Sequence, residues 1–175
     1  MWDLIDTLIV SIYPGIKLGM SREEITEACK SHGIYLWLKD TNQFMLGVLN
    51  EDIKDEELVR KIYLNCGLPT KIGCHTVHEG LYYKCSVAGF LQSRFATYGM
   101  QFENRIVDGV KIRNNPNLRK DLETYIANQE PLMGCRRCLG TSGILIKHRQ
   151  LNNTGLTEET KEDHSDPRSL LRLRF

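Results

Sequence analysis

Residues 73–85 read Gly73-Cys74-His75-Thr76-Val77-His78-Glu79-Gly80-Leu81-Tyr82-Tyr83-Lys84-Cys85, a Glu-Gly centre between two arms rich in aromatic and β-branched residues. Glycine accepts the positive φ of a tight two-residue loop, so the stretch predicts a β-hairpin turning on Glu79 and Gly80. The loop sets the register. His78 faces Leu81, Val77 faces Tyr82, Thr76 faces Tyr83, His75 faces Lys84, and Cys74 faces Cys85. Opposed residues share one face of the ribbon, about 4.5–5.5 Å apart, so both sulfurs can reach one metal centre. His75 falls on the opposite face from Cys74 and is not expected to be a ligand. His78 is expected in solvent, and Tyr82 and Tyr83 are expected to pack the sheet.

Downstream, Cys135-Arg136-Arg137-Cys138 has the two-residue gap found in zinc knuckles and iron-sulfur sites, where a tight turn aims both thiolates inward. Gly134, Gly140 and Gly143 flank it and allow backbone N–H groups to approach the sulfurs. Lys84, Arg136, Arg137 and the start of the helix after Cys85 are expected to offset the negative charge of four thiolates. The residues thus predict one metal centre held by Cys74, Cys85, Cys135 and Cys138. Cys29 lies on the apolar face of a helix and reads as core. Cys66 stays open between core, spare thiol and ligand. His148 is a further imidazole near the site in sequence.

Upstream the texture differs. Leu4 to Ile12 is a branched apolar run stopped by Tyr13-Pro14-Gly15, which predicts a buried strand. Ser21 with Glu24 forms a capping-box pattern, and Ile25, Ala28, Cys29 and His32 recur at helical spacing up to Gly33. Ile34 to Leu38 then predicts a second strand, and the strand, helix, strand order suits a parallel sheet. After an apolar run from Phe44 to Leu49, residues 55–65 predict a helix burying Leu58, Val59, Ile62 and Tyr63. Further helices are expected from a Ser86 cap to Thr97, and after Asn115-Pro116 with Leu118, Leu122, Tyr125 and Ile126 buried. The expected division is 1–65, an α/β segment; 66–151, a small α+β cysteine domain with the hairpin; and 152–175, a polar linker with a frayed tail. Asp6 reads as a hydrogen-bonded strand residue.

Composition narrows the function classes. Twenty-three Lys and Arg stand against 22 Asp and Glu, a net charge of +1, which points to neither nucleic acid nor an anionic membrane. No basic leader and no membrane-length apolar run are present, so the chain is expected to be cytoplasmic, where thiols stay reduced and six cysteines favour metal or burial over disulfides. There is no phosphate-binding glycine loop, nucleophile elbow or His-Glu-x-x-His.

Cys74, Gly80-x-x-x-x-Cys85 and Cys135-x-x-Cys138 together resemble the auxiliary-cluster domain, of the SPASM or shorter twitch kind, at the carboxy end of radical SAM enzymes. The gap from Cys74 to Gly80 is shorter than the usual SPASM spacing. The resemblance implies an auxiliary [4Fe-4S] cluster on Cys74, Cys85, Cys135 and Cys138, relaying electrons or positioning substrate. It further implies that residues 4–38 belong to the later part of an incomplete parallel βα barrel. The Cys-x-x-x-Cys-x-x-Cys motif that cleaves S-adenosyl-L-methionine does not occur here. The chain is therefore expected not to be catalytically competent alone, with a radical SAM half on another chain or in upstream sequence as its partner. The residues themselves leave open a Cys₄ zinc interaction module and a metal-free domain with buried or spare thiols.

Overall fold

The structure, a computed structural model, describes residues 2–147 and 166–172. It is mixed α/β and divides into two compact units, residues 2–44 with 145–147, and residues 45–144 with 166–172.

In the first unit, β1 (Thr7–Ile12) and β2 (Tyr35–Asp40) are joined by α1 (Arg22–Ser31). The helix starts where Ser21 and Glu24 exchange hydrogen bonds: Glu24 N–H donates to Ser21 Oγ (3.1 Å) and Ser21 N–H to the Glu24 carboxylate (2.7 Å). β1 and β2 run parallel from Thr7↔Tyr35 to Ile12↔Asp40. Cys29 is buried on the inner face of α1, as its helical position predicts. The strand begins at Thr7 because residues 2–4 wind into a 3₁₀ turn closed by Ile5 N–H on Trp2 O (3.0 Å). Asp6 is exposed, and its carbonyl accepts from Tyr35 N–H (2.9 Å). A short strand β3 (Gln43–Met45) pairs with residues Leu145–Lys147. Among the described residues the parallel pairing stops at β1 and β2, and no closed barrel forms.

The second unit is built on α2 (Glu56–Asn65), capped by Asp55, whose carboxylate accepts from Leu58 N–H (3.0 Å). Leu58, Val59 and Ile62 pack with Leu49, Ile53, Leu139 and Leu170 in one core, and Tyr63 is buried beside them. The expected boundary at residue 65 would leave α2 with the α/β segment, whereas its apolar stripe packs against the turns at Met133–Arg137 and Gly140–Ser142. The hairpin is present as β4 (Thr76–His78) and β5 (Leu81–Tyr83), in the register the Glu79-Gly80 loop dictates. Both loop residues have positive φ (48° and 79°), the primed turn that matches strand twist. β6 (Val110–Lys111) adds to β5 after α3 (Ser86–Thr97) and α4 (Arg105–Asp108). A second core of Leu91, Phe95 and Phe102 lies under α3.

Two expectations about packing are corrected. In α5 (Leu118–Ala127) Leu118, Leu122 and Tyr125 are only half-buried and Ile126 is exposed, because the helix leans on the sheet edge at β6 and lies outside both cores. The tail does not fray within residues 166–172. Pro167–Leu170 forms a 3₁₀ turn that buries Leu170 beside α2, and Ile144 N–H donates to Leu170 O (2.8 Å). Arg168 pairs with Asp55, so the polar arm of the tail also has a fixed partner. The expected linker at residues 152–165 lies outside the described residues.

Candidate metal centre

One apolar cavity of the second unit is lined by Cys66, Cys85, Cys135 and Cys138, with Tyr63 and Gly140 among its other walls. These thiols come from three separate stretches of chain. Cys66 terminates α2, its N–H donating to Tyr63 O (3.0 Å). Cys85 occupies the N-cap of α3, a place expected for Ser86, which is instead the first helical residue. A thiol at the N-cap lies where free backbone N–H groups converge, and those of Ala88 and Val87 favour its thiolate, although the side chain makes no capping hydrogen bond. Cys135 sits in the 3₁₀ turn Met133–Arg137, its N–H donating to Leu132 O (2.9 Å). Cys138 follows, accepting from Gly140 N–H (3.3 Å). Glycine is required there: φ is +55°, and a Cβ would lie 2.9 Å from Cys66 Sγ.

Cys74 does not line the cavity. It lies next to the helix start, its carbonyl accepting from Ser86 N–H (2.8 Å), and its thiol is close enough to disfavour the Cys85 thiolate electrostatically. The structure therefore brings together three of the four sequence candidates and adds Cys66. The available signal was spacing: thirteen residues separate Cys66 from Gly80, against five for Cys74.

Burial raises the thiol pKa values of Cys85 and Cys135 and pushes Cys138 up to about 12, so the thiols are protonated near neutrality until a cation displaces their protons. Backbone N–H groups near Cys85, Cys135 and Cys138 oppose that shift. Among the described residues no three His, Cys, Asp or Glu side chains surround a point that would hold a single ion as they stand. The cavity measures about 20 Å³, room for one water molecule. A metal cluster would therefore require the cavity walls to move apart. By donor chemistry the set fits a soft, thiophilic centre: four sulfurs, apolar walls and a backbone donor at Cys138.

The frame behind Cys135 was not visible in the sequence. Asp108 is buried and accepts from Met133 N–H (2.6 Å), Gly134 N–H (2.7 Å) and Asn104 Nδ2 (2.7 Å). Asn104 also donates to Ala88 O (2.9 Å), tying α3 to the turn that carries Cys135. Desolvation raises the Asp108 pKa against these bonds. Lys84 is buried beside the site, but Arg136 and Arg137 do not serve it: Arg136 pairs with Glu56, while Arg137 binds Asp52 (2.5 Å) and stacks on Phe95 and Phe102. Acidic and aromatic neighbours drawn in by packing outcompete the thiols for these guanidinium groups.

The imidazoles are also occupied. His75 Nδ1 meets Tyr82 OH (2.7 Å) and its Nε2 meets Pro69 O (3.1 Å). His78, expected in solvent, packs on Phe90 and meets Ser93 Oγ (3.3 Å). His148 lies outside the described residues. Tyr83 is fully buried, as its sheet position predicts. No protein-family model matches the chain, and no curated protein matches it. No helix among the described residues is long and apolar enough to cross a membrane.

Proposed function

We propose that this chain binds one [4Fe-4S] cluster through Cys66, Cys85, Cys135 and Cys138, as an auxiliary centre in a radical SAM-type protein. The observation that carries the reading is the convergence of four cysteines from three stretches of chain on one cavity, where Gly140 N–H donates to Cys138 Sγ (3.3 Å). Thiolate ligation with N–H donation is the environment that holds iron-sulfur clusters and tunes their potential. Bound there, the cluster supplies one-electron transfer or a site for substrate. The protein's part is to hold the sulfurs, keep water out with Tyr63, Leu132 and Ala88, and fix the Cys135 turn through Asp108.

The partner in this reading is a catalytic half carrying the cluster that cleaves S-adenosyl-L-methionine. The β1–β2 pair supports it. Parallel strands are normally sandwiched within larger sheets, yet this pair has no further strand among the described residues and presents Ile9, Tyr35 and Trp37 to solvent. Further parallel βα units from the catalytic half would cover that face and its edges.

The test is anaerobic purification of the full chain, with iron, sulfide and zinc analysis and a visible spectrum. A brown, oxygen-labile protein with iron and sulfide is expected, and Cys66→Ser is expected to lose the colour that Cys74→Ser retains. About one zinc and no sulfide would sink the cluster and leave a Cys₄ zinc module. Loss of colour in Cys74→Ser with retention in Cys66→Ser would overturn the ligand set.

A further inference from the structure

Lys84 is 3% exposed, which is rare for a lysine unless an anion accompanies it. Among the described residues no carboxylate stands within ion-pair distance of its ammonium group. Instead Nζ donates to Asn128 O (2.7 Å) and Tyr125 O (3.4 Å), and lies 5.4 Å from the Tyr63 ring and 5.2 Å from the Tyr125 ring. Carbonyls and ring faces satisfy its hydrogen bonds and part of its charge, but none carries a full negative charge. Tyr63 places it. The same ring that meets the ammonium is a wall of the cysteine cavity, and Lys84 directly precedes Cys85. The anionic groups that act on it are Cys135 and Cys85 of the cavity, when ionised, and the buried Asp108 carboxylate.

We propose that Lys84 is a positioning residue whose buried ammonium is the built-in counter-charge of the thiolate-ligated centre and raises its reduction potential. The inference rests on the cluster reading above. A cluster that gains one electron gains one unit of negative charge, and a fixed cation behind the cavity wall favours that state in a poorly screened interior. The rigid cradle of two rings and two carbonyls keeps the charge at one distance whichever state the centre occupies.

The experiment compares full-length wild type, Lys84→Gln and Lys84→Arg, reconstituted anaerobically with iron and sulfide and titrated with dithionite while the visible absorbance is followed. The glutamine retains a donor for Asn128 O without charge; the arginine retains the charge. At the wild-type midpoint potential, Lys84→Gln is expected to show a reduced-to-oxidised ratio lower by on the order of tenfold, with Lys84→Arg close to wild type. Equal midpoints in wild type and Lys84→Gln would overturn the role, as would equal shifts in both variants, which report a structural defect. Should Lys84→Gln take up no iron, cobalt(II) titration of the reduced chains gives the second reading. Weaker cobalt binding by Lys84→Gln than by Lys84→Arg supports the counter-charge, and equal binding refutes it. Wild type that takes up neither iron nor cobalt refutes the centre and this role together; wild type that holds the centre with an unshifted Lys84→Gln refutes this role alone.

Discussion

Gly140→Ala tests how tightly the cavity wall is built. Gly140 has φ +55°, where an alanine is strained by about 1–2 kcal/mol. The new methyl would lie 2.9 Å from Cys66 Sγ and 3.1 Å from Cys66 Cβ, with Ile62 Cγ2 behind at 3.6 Å. Those contacts are too close to keep, and Cys66 is held at the end of α2, so overpacking adds about 1–3 kcal/mol. A loss of about 2–5 kcal/mol is expected in urea denaturation of the metal-free, reduced protein, with an unchanged m-value. The origin of the loss can be separated. In a Cys66→Ala background the sulfur clash is gone while the backbone strain remains, so Gly140→Ala should cost about 1–2 kcal/mol less there. A neutral or stabilising Gly140→Ala, the usual result where glycine is not required, would refute both the left-handed turn and the apposition of Cys66 with Gly140.

Leu170→Ala removes a buried side chain that the docked tail contributes to the α2 core, and a loss of about 2–5 kcal/mol is expected by the same denaturation; a loss below about 0.5 kcal/mol would mean that the tail does not dock. The pH dependence of tail docking turns on Asp55. The Leu58 N–H bond first, then the charge of Arg168, hold the Asp55 carboxyl below its ordinary value of 3.8. A folded-state pKa below the unfolded one contributes stability that is present above pH about 4 and is lost as pH falls through the folded value. Asp55→Asn keeps the cap but has no charge to lose. Its stability relative to wild type, followed by denaturation between pH 6 and 3, should therefore rise as the solution is acidified, and a constant difference across that range would contradict the pairing.

Much of the fold was legible because it rests on short-range rules. The Glu79-Gly80 loop determined the hairpin register, Ser21 and Glu24 the start of α1, and the spacing of Leu58, Val59, Ile62 and Tyr63 the buried face of α2. Each follows from turn geometry or helical period within a few residues. The Cys135-x-x-Cys138 pair was visible for the same reason. The barrel assignment had no such local support. A two-stranded parallel pair is compatible with many sheets, and its remaining neighbours are not specified by its own residues.

By itself, then, the sequence determined which elements form and which thiols stand near turns able to present them. Only the tertiary structure decided which thiols share a cavity. Hairpin register places Cys74 opposite Cys85, but Cys85 turns into the N-cap of α3, and the packing of α2 against the Gly140 turn brings Cys66 to the cavity wall. Tertiary packing likewise drew Arg136 and Arg137 to Glu56 and Asp52 and left Lys84 as the buried cation beside the thiols. Contacts between distant segments depend on how whole helices fill a core, which turn geometry and helical period within a few residues do not set.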